Sequence, residues 1–189
     1  MLILGINTCL AAADLALVRN GETLATRLDT APRGHEARLP ALLEDLLAEG
    51  GCKLADLDRI AVVTGPGSFT GIRIGVAFAR GLALALKIDI VGVTSLEAGI
   101  SPGSAGLVKT ALPAQKRPPG RTWWVQTLKH GVGNSSVTEV TENELGETIE
   151  ATPIAAWAAQ LAGNLIPQRH PPNPTYARMP DAKPMSPSR

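Results

Sequence analysis

Gly65–Ala83 reads GPGSFTGIRIGVAFARGLA. Upstream, Arg59–Thr64 (RIAVVT) is a short apolar run ended by Gly and Pro, which predicts a buried strand. Downstream, apolar residues continue to about Lys87, interrupted by Arg73 and Arg80, and predict a long helix. Along it Gly71, Gly75, Ala79 and Ala83 recur every four residues, so one line of the helix is bare and another element can approach its backbone. A glycine-rich turn opening a helix also offers N–H groups to an anion, which makes Gly65, Gly67, Ser68 and Thr70 the candidate phosphate- or nucleotide-proximal residues. The spacing is neither G-x-x-x-x-G-K-[ST] nor G-x-G-x-x-G, and Arg73 replaces any P-loop lysine. On spacing alone, a tight strand-to-helix turn with close packing is the stronger reading.

Working outward, Leu2–Asn7 is an apolar run suited to a strand covered on both faces, and Ala12–Val18 is a second candidate. Arg19-Asn20-Gly21-Glu22 then predicts a tight hairpin, returning through Thr23–Leu28. Leu39, Leu42, Leu43, Leu46 and Leu47 recur at steps of three and four and predict a helix stopped by Gly50-Gly51, with Pro40 in its first turn. Asp89–Val93 is a further strand, and Thr94 with Glu97 forms a capping box for another helix. Three strands, helix, strand, helix, strand is the order of an α/β lobe with a mixed sheet and crossover helices.

The second half is different. Twelve of the fifteen prolines follow residue 100. Lys116–Arg121 (KRPPGR) is a basic break that a sheet cannot contain. Trp123–Leu128 and Ser135–Thr141 are candidate strands, and Thr152-Pro153 opens a helix with Ile154, Trp157 and Leu161 on one face. From Pro167 the chain reads as an extended tail. The expected division is a first lobe at 1–98, a reduced second lobe at 99–166 and a Pro-rich tail at 167–189.

Composition narrows the function. Of 189 residues 44% are hydrophobic, 19% charged and 3% aromatic, so the core is aliphatic. A net charge of +1 argues against a dedicated nucleic-acid binder, and Lys116, Arg117 and Arg121 form the one basic cluster. Cys9 and Cys52 lack metal-ligand spacing and read as reduced thiols. Met1–Asn7 has no basic leader, and no apolar stretch is read as reaching the roughly 18 residues of a membrane span, so a cytoplasmic protein is expected.

No catalytic set can be assembled. His35, His130 and His170 have no helical pairing and no partner carboxylates at metal-binding spacing. Ser68 has glycines one before and three after, where a nucleophile elbow needs them two either side.

Leu2–Thr8, His35–Leu47 and above all Gly65–Ala83 resemble the TsaB (YeaZ) family, and Pro174–Pro184 (PTYARMPDAKP) is similar to that family's closing segment. The resemblance implies an actin-like ATPase (ribonuclease H-like) fold of two related lobes, with the second reduced. It further implies a non-catalytic partner of the subunit TsaD, in the complex that places threonylcarbamoyl on adenosine of tRNAs reading ANN codons. TsaE belongs to the larger complex, a homodimer is expected in isolation, and contact with tRNA is mainly indirect. No cofactor of its own is implied beyond ATP or ADP near the junction with the partner, and no metal. By position, the partner interface would comprise His35, Arg38, Leu39, Leu42, Leu46, Arg73, Val76, Ala79 and Arg80. Two departures stand out. Asn7-Thr8-Cys9 replaces the family's Asp-Thr-Ser. Val108–Val125 fits the opening strand of the second lobe poorly, as true divergence or a local slip of reading frame would produce. The alternatives are an enzyme, glycoprotease-like or ATP-using, and a homodimeric structural protein.

Overall fold

Leu2–Asn7 (β1) is buried at every position because strands flank it and helices cover both its faces. The computed structural model describes residues 1–31, 34–115 and 121–177, with backbone only at 35, 36 and 115. Ala13–Arg19 (β2) and Glu22–Asp29 (β3) continue β1 as an antiparallel meander. The hairpin turns where predicted, with Asn20 and Gly21 both at positive φ (51° and 89°). Arg59–Val63 (β4) joins β1 in parallel, and Asp89–Val93 (β5) joins β4 in parallel. The order β3-β2-β1-β4-β5 is the ribonuclease H-like, actin-like ATPase sheet that the resemblance implies.

His35–Glu49 (α1) and Phe69–Leu86 (α2) provide the crossovers. Both lie on the sheet face that carries Thr8 and Leu17, since Gly75 abuts Thr8 and Gly50 abuts Leu17. Pro40 is six residues into α1 rather than in its first turn, because the helix begins earlier than the leucine pattern alone indicates. Its missing N–H leaves the carbonyl four residues back without that intrahelical donor. Leu39, Leu43, Leu46 and Leu47 all point into the core. Helix α2 ends at Lys87, whose left-handed backbone (φ 56°) closes the last turn.

The second sheet consists of Leu107–Gln115 (β6), Thr122–Lys129 (β7), Val132–Gly133 (β8), Thr138–Thr141 (β9) and Ile149–Glu150 (β10). Its order is β10-β6-β7-β8, with β9 also on β7. Strand β6 carries no alternation that marks it in sequence, and it contains Pro113 beside a register shift, where a missing N–H is tolerated. The stretch expected as a strand from Ser135 pairs only from Thr138. The box at Thr94 forms, with Thr94 N–H donating to Glu97 and Glu97 N–H to the Thr94 hydroxyl, yet only a turn follows. Gly99, Pro102 and Gly103 stop it before a helix can propagate.

Ala155–Ala162 (α3) returns to the first sheet and covers its other face, against β1, β2 and β4. Gly5 makes this possible, because a Cβ there would run into the Ala155 carbonyl. The expected helix face of Ile154, Trp157 and Leu161 is only part of the contact. Every alanine of α3 is buried, and small side chains bring it close to the sheet. Arg59 closes its C-terminal end, donating to the carbonyls of Ala162 (2.7 Å) and Leu165 (3.1 Å). Residues 170–176, part of the stretch expected as an extended tail, lie back on the first lobe: Gly92 N–H donates to His170 O and Thr175 N–H to Thr64 O, both at 2.8 Å. The tail expectation for 178–189 falls outside the described residues, as do Lys116 and Arg117 of the basic cluster.

Among the described residues, α2 is a helix long and apolar enough to cross a membrane by length and composition, which corrects the expectation that no stretch reaches that length. Here it packs along β4, β1 and β5 and carries Arg73 and Arg80.

Candidate functional site

The C-terminal end of β1, the turn after β4 and the start of α2 meet at one point, and the second sheet faces them across a cleft of roughly 790 Å³. One wall is Thr8, Cys9, Gly67, Ser68, Thr70, Gly71 and Ile74; the other is Pro113, Ala114 and Trp124. Of the four residues expected near a phosphate, Gly67, Ser68 and Thr70 line this cleft. Gly65 does not. It packs instead under residue 175, whose carbonyl a Gly65 Cβ would approach to 2.9 Å.

The turn is committed to packing. Ser68 N–H donates to Cys9 O (2.7 Å), Thr8 hydroxyl to Gly71 O (2.6 Å), and Gly71 N–H to the Ser68 hydroxyl (3.2 Å), which is the N-cap of α2. A Cβ on Gly67 would strike Cys9 O, and one on Gly71 would strike Thr8 O. These glycines are therefore explained by the close approach of α2 to β1. The amides of Ser68 and Gly71 are already used, and among the described residues none that lines the cleft is charged. A nucleotide there would find neither a cationic side chain for its phosphates nor a carboxylate for a metal ion among these residues.

Asn7, at the position of the family's aspartate, is buried and turned inward: its amide donates to Pro153 O (3.0 Å) and its carbonyl accepts from Cys9 N–H (3.1 Å). Asp14, opposite it on β2, accepts from Ala155 N–H (2.7 Å) at the start of α3, and burial raises its pKa above the usual 3.8. Its role is to cap α3 and to hold that helix on the sheet. Cys9 is buried and bonded to Val63 O, and burial pushes its thiol up to about 12, so it is an inert core thiol. Among the described residues no three His, Cys, Asp or Glu side chains cluster as a metal site would require.

The nine residues expected at a partner interface divide into three groups. Leu39, Leu46, Val76 and Ala79 are buried in the chain's own core, which takes them off any outward surface. The line Gly71, Gly75, Ala79 and Ala83 likewise faces inward. Leu42 is half-buried, and Arg38 is tied to Asp29 (2.6 Å); the His35 side chain is outside the described residues. Arg73 and Arg80 are exposed and reach toward residues 172–176. Besides these arginines and Thr70, α2 presents Phe69, Ala77, Gly81, Leu84 and Ala85 outward, with Leu84 82% exposed. This stripe is interleaved with the inward one at the same helical period, so spacing could not tell them apart. The outward side of α1 carries Glu44, Asp45 and Glu49, and is polar by contrast.

Similarity to known proteins agrees with this architecture. The chain is 33% identical over 145 residues to the tRNA threonylcarbamoyladenosine biosynthesis protein TsaB of Escherichia coli, covering 74% of this chain and 61% of that one. Its identity to the TsaB of Bacillus subtilis is 38% over 97 residues, covering 51% and 42%. The chain resembles the TsaB (YeaZ) family. It thus spans from about two fifths to three fifths of the length of these TsaB relatives. The solved structure of YeaZ from Pseudomonas aeruginosa superposes with a TM-score of 0.72 at 24% identity, over 93% of this chain and 99% of that one, and so shares the fold. The family described as "TsaD: tRNA N6-adenosine threonylcarbamoyltransferase" matches residues 29–113, from β3 to β6.

Proposed function

We propose that this chain, like its TsaB relatives, serves in threonylcarbamoyladenosine synthesis on tRNA, as a non-catalytic subunit that pairs with a TsaD-type catalytic subunit. The observation that carries this reading is the outward stripe of α2. Phe69, Ala77, Gly81, Leu84 and Ala85 are exposed and apolar or small, and the exposed Arg73 and Arg80 lie among them, a mixture of small, apolar and Arg side chains that suits the packing of a second helix. The uncharged lining of the cleft among the described residues supports a partner over a catalyst. ATP or ADP would then sit near the junction, with its phosphates held by partner side chains, and TsaE would join the larger assembly. Without the partner, the same stripe would pair two copies of this chain.

The match to the transferase family favours a second reading, in which the chain is itself the transferase. The inward bonding of Asn7 and Asp14 and the uncharged cleft lining weigh against it.

The test is light scattering after size-exclusion chromatography of this chain with TsaD of the same organism. A one-to-one complex that is lost on Leu84→Glu, with the variant still folded, is the expected result. Undiminished pairing by Leu84→Glu would remove the α2 stripe as the interface, and threonylcarbamoyl transfer by this chain alone would establish the second reading.

A further inference from the structure

Residues 170–176 cross the edge of β5 and run alongside α2 as an extended segment held at both ends. At one end His170 O accepts from Gly92 N–H, and at the other Thr175 bonds Thr64 twice, through its amide (2.8 Å) and between hydroxyls (3.1 Å). From α2, Arg80 donates to Pro172 O (2.7 Å) and Asn173 Oδ1 (2.8 Å), while Arg73 Nε donates to the Tyr176 hydroxyl (3.2 Å). Arg73 also lies 3.8 Å over the Phe69 ring, and Phe69 and Tyr176 are 5.2 Å apart.

Two glycines shape the bed of this segment. A Cβ on Gly92 would meet Pro171 O at 2.5 Å and Pro172 Cα at 3.0 Å, and one on Gly65 would meet Thr175 O at 2.9 Å. Pro171, Pro172 and Pro174 stiffen it and, lacking N–H groups, leave few donors to satisfy. It is built into the lobe. We propose that residues 170–176 are a fixed strap that sets α2 in the orientation its partner reads, with Arg73 and Arg80 as positioning residues acting through it. This rests on the pairing reading above. The strap also spends scarce material there: of six aromatic residues in the chain, Phe69 and Tyr176 stack together at the start of the α2 stripe, each 44% exposed. Aromatic and Arg side chains held rigid in this way are the usual anchors of an interface.

The experiment uses the full chain and three variants. Gly92→Val displaces the strap without shortening the chain, Arg80→Ala removes one clamp, and Arg80→Lys keeps a charged donor. Three quantities are read: exchange of the Thr175 amide, the thermal midpoint, and the dissociation constant with TsaD. Expected are a Thr175 amide at least about a hundredfold slower than an unstructured one in the parent chain, and its release in Gly92→Val. Pairing should weaken by about tenfold or more in Gly92→Val and Arg80→Ala with folding retained, and Arg80→Lys should restore much of it. Parent-like pairing with a released Thr175, or fast Thr175 exchange in the parent, overturns the proposal. Should Gly92→Val fail to fold, Arg80→Ala, whose side chain is exposed, decides alone. A parent chain that pairs with neither TsaD nor itself overturns the pairing reading and the orienting role with it, whereas slow Thr175 exchange would still establish the fixed strap.

Discussion

Gly75 sits where α2 crosses the end of β1, and a Cβ there would collide with the Thr8 hydroxyl. That hydroxyl already holds Gly71 O, so it cannot swing away without losing a bond. Gly75→Leu should therefore destabilise the lobe itself by at least about 1–3 kcal/mol, the cost of overpacking a filled core, as measured by denaturant unfolding. Leu39→Ala should cost about 2–5 kcal/mol for the same reason in reverse, and Leu39→Asp more, since it buries an unpaired carboxylate. None of the three variants tests pairing; all test the fold. Asp14 adds a pH signature. Burial raises its folded pKa above its ordinary value of 3.8, so the folded state retains the proton across the window between the two values. The stability associated with Asp14 is then greatest below that window and falls as pH rises through it. Asp14→Asn, which keeps an acceptor for Ala155 N–H, should gain stability relative to the parent as pH rises through the window, and then hold a constant margin. Denaturant midpoints over a pH series would check this. A margin independent of pH would mean that burial does not perturb Asp14.

At the scale of elements, α2 is the informative case, because it buries one apolar side and still leaves apolar residues exposed on the other, beside Arg73 and Arg80. Ile72, Val76, Ala79 and Ala83 bury one side against the sheet. Leu84 and its neighbours leave another bare, and Leu84→Glu should change stability by no more than about 0.5 kcal/mol while abolishing pairing. Helix α3 is the opposite case. It is short, almost wholly buried, and stopped by Arg59 from another strand. Arg59→Met should cost about 1.5–3 kcal/mol by leaving the Ala162 and Leu165 carbonyls without their charged donor, with faster amide exchange in α3 as its local mark.

At the scale of the molecule, Glu97 joins the two sheets. It is buried, accepts from Thr94 N–H at the end of β5 and from Gly133 N–H in β8 (both 2.7 Å), and stands beside the bond from the Thr94 hydroxyl to Gln126. Glu97→Ala strands two donors at the junction. An overall loss of about 2–5 kcal/mol is expected, with exchange rising first in β7 and β8 and little changed in β1. Uniform loosening of both sheets would mean that Glu97 supports the core at large and not the junction.

The first lobe was legible because its rules are local. The Asn20-Gly21 turn, the apolar runs of β1, β4 and β5, and the leucine period of α1 each act within a few residues, and the sheet they imply is the one that forms. The cleft was half legible: the glycines at 67 and 71 marked the meeting of β1 and α2, but nothing near Pro113 or Trp124 announced an opposing wall. Which face of α2 is inner, that residues 155–162 cover the far side of the first sheet, and that a proline-rich tail is a clamped strap all depend on contacts between residues distant in sequence. Periodicity specifies that a helix has faces, and only packing assigns them. The sequence alone thus determined the strands and helices of the first lobe and their succession along the chain; the tertiary structure decided the order of the strands in the sheet and which surfaces were left over, because burial is a property of the neighbours a residue finds and not of the residue itself.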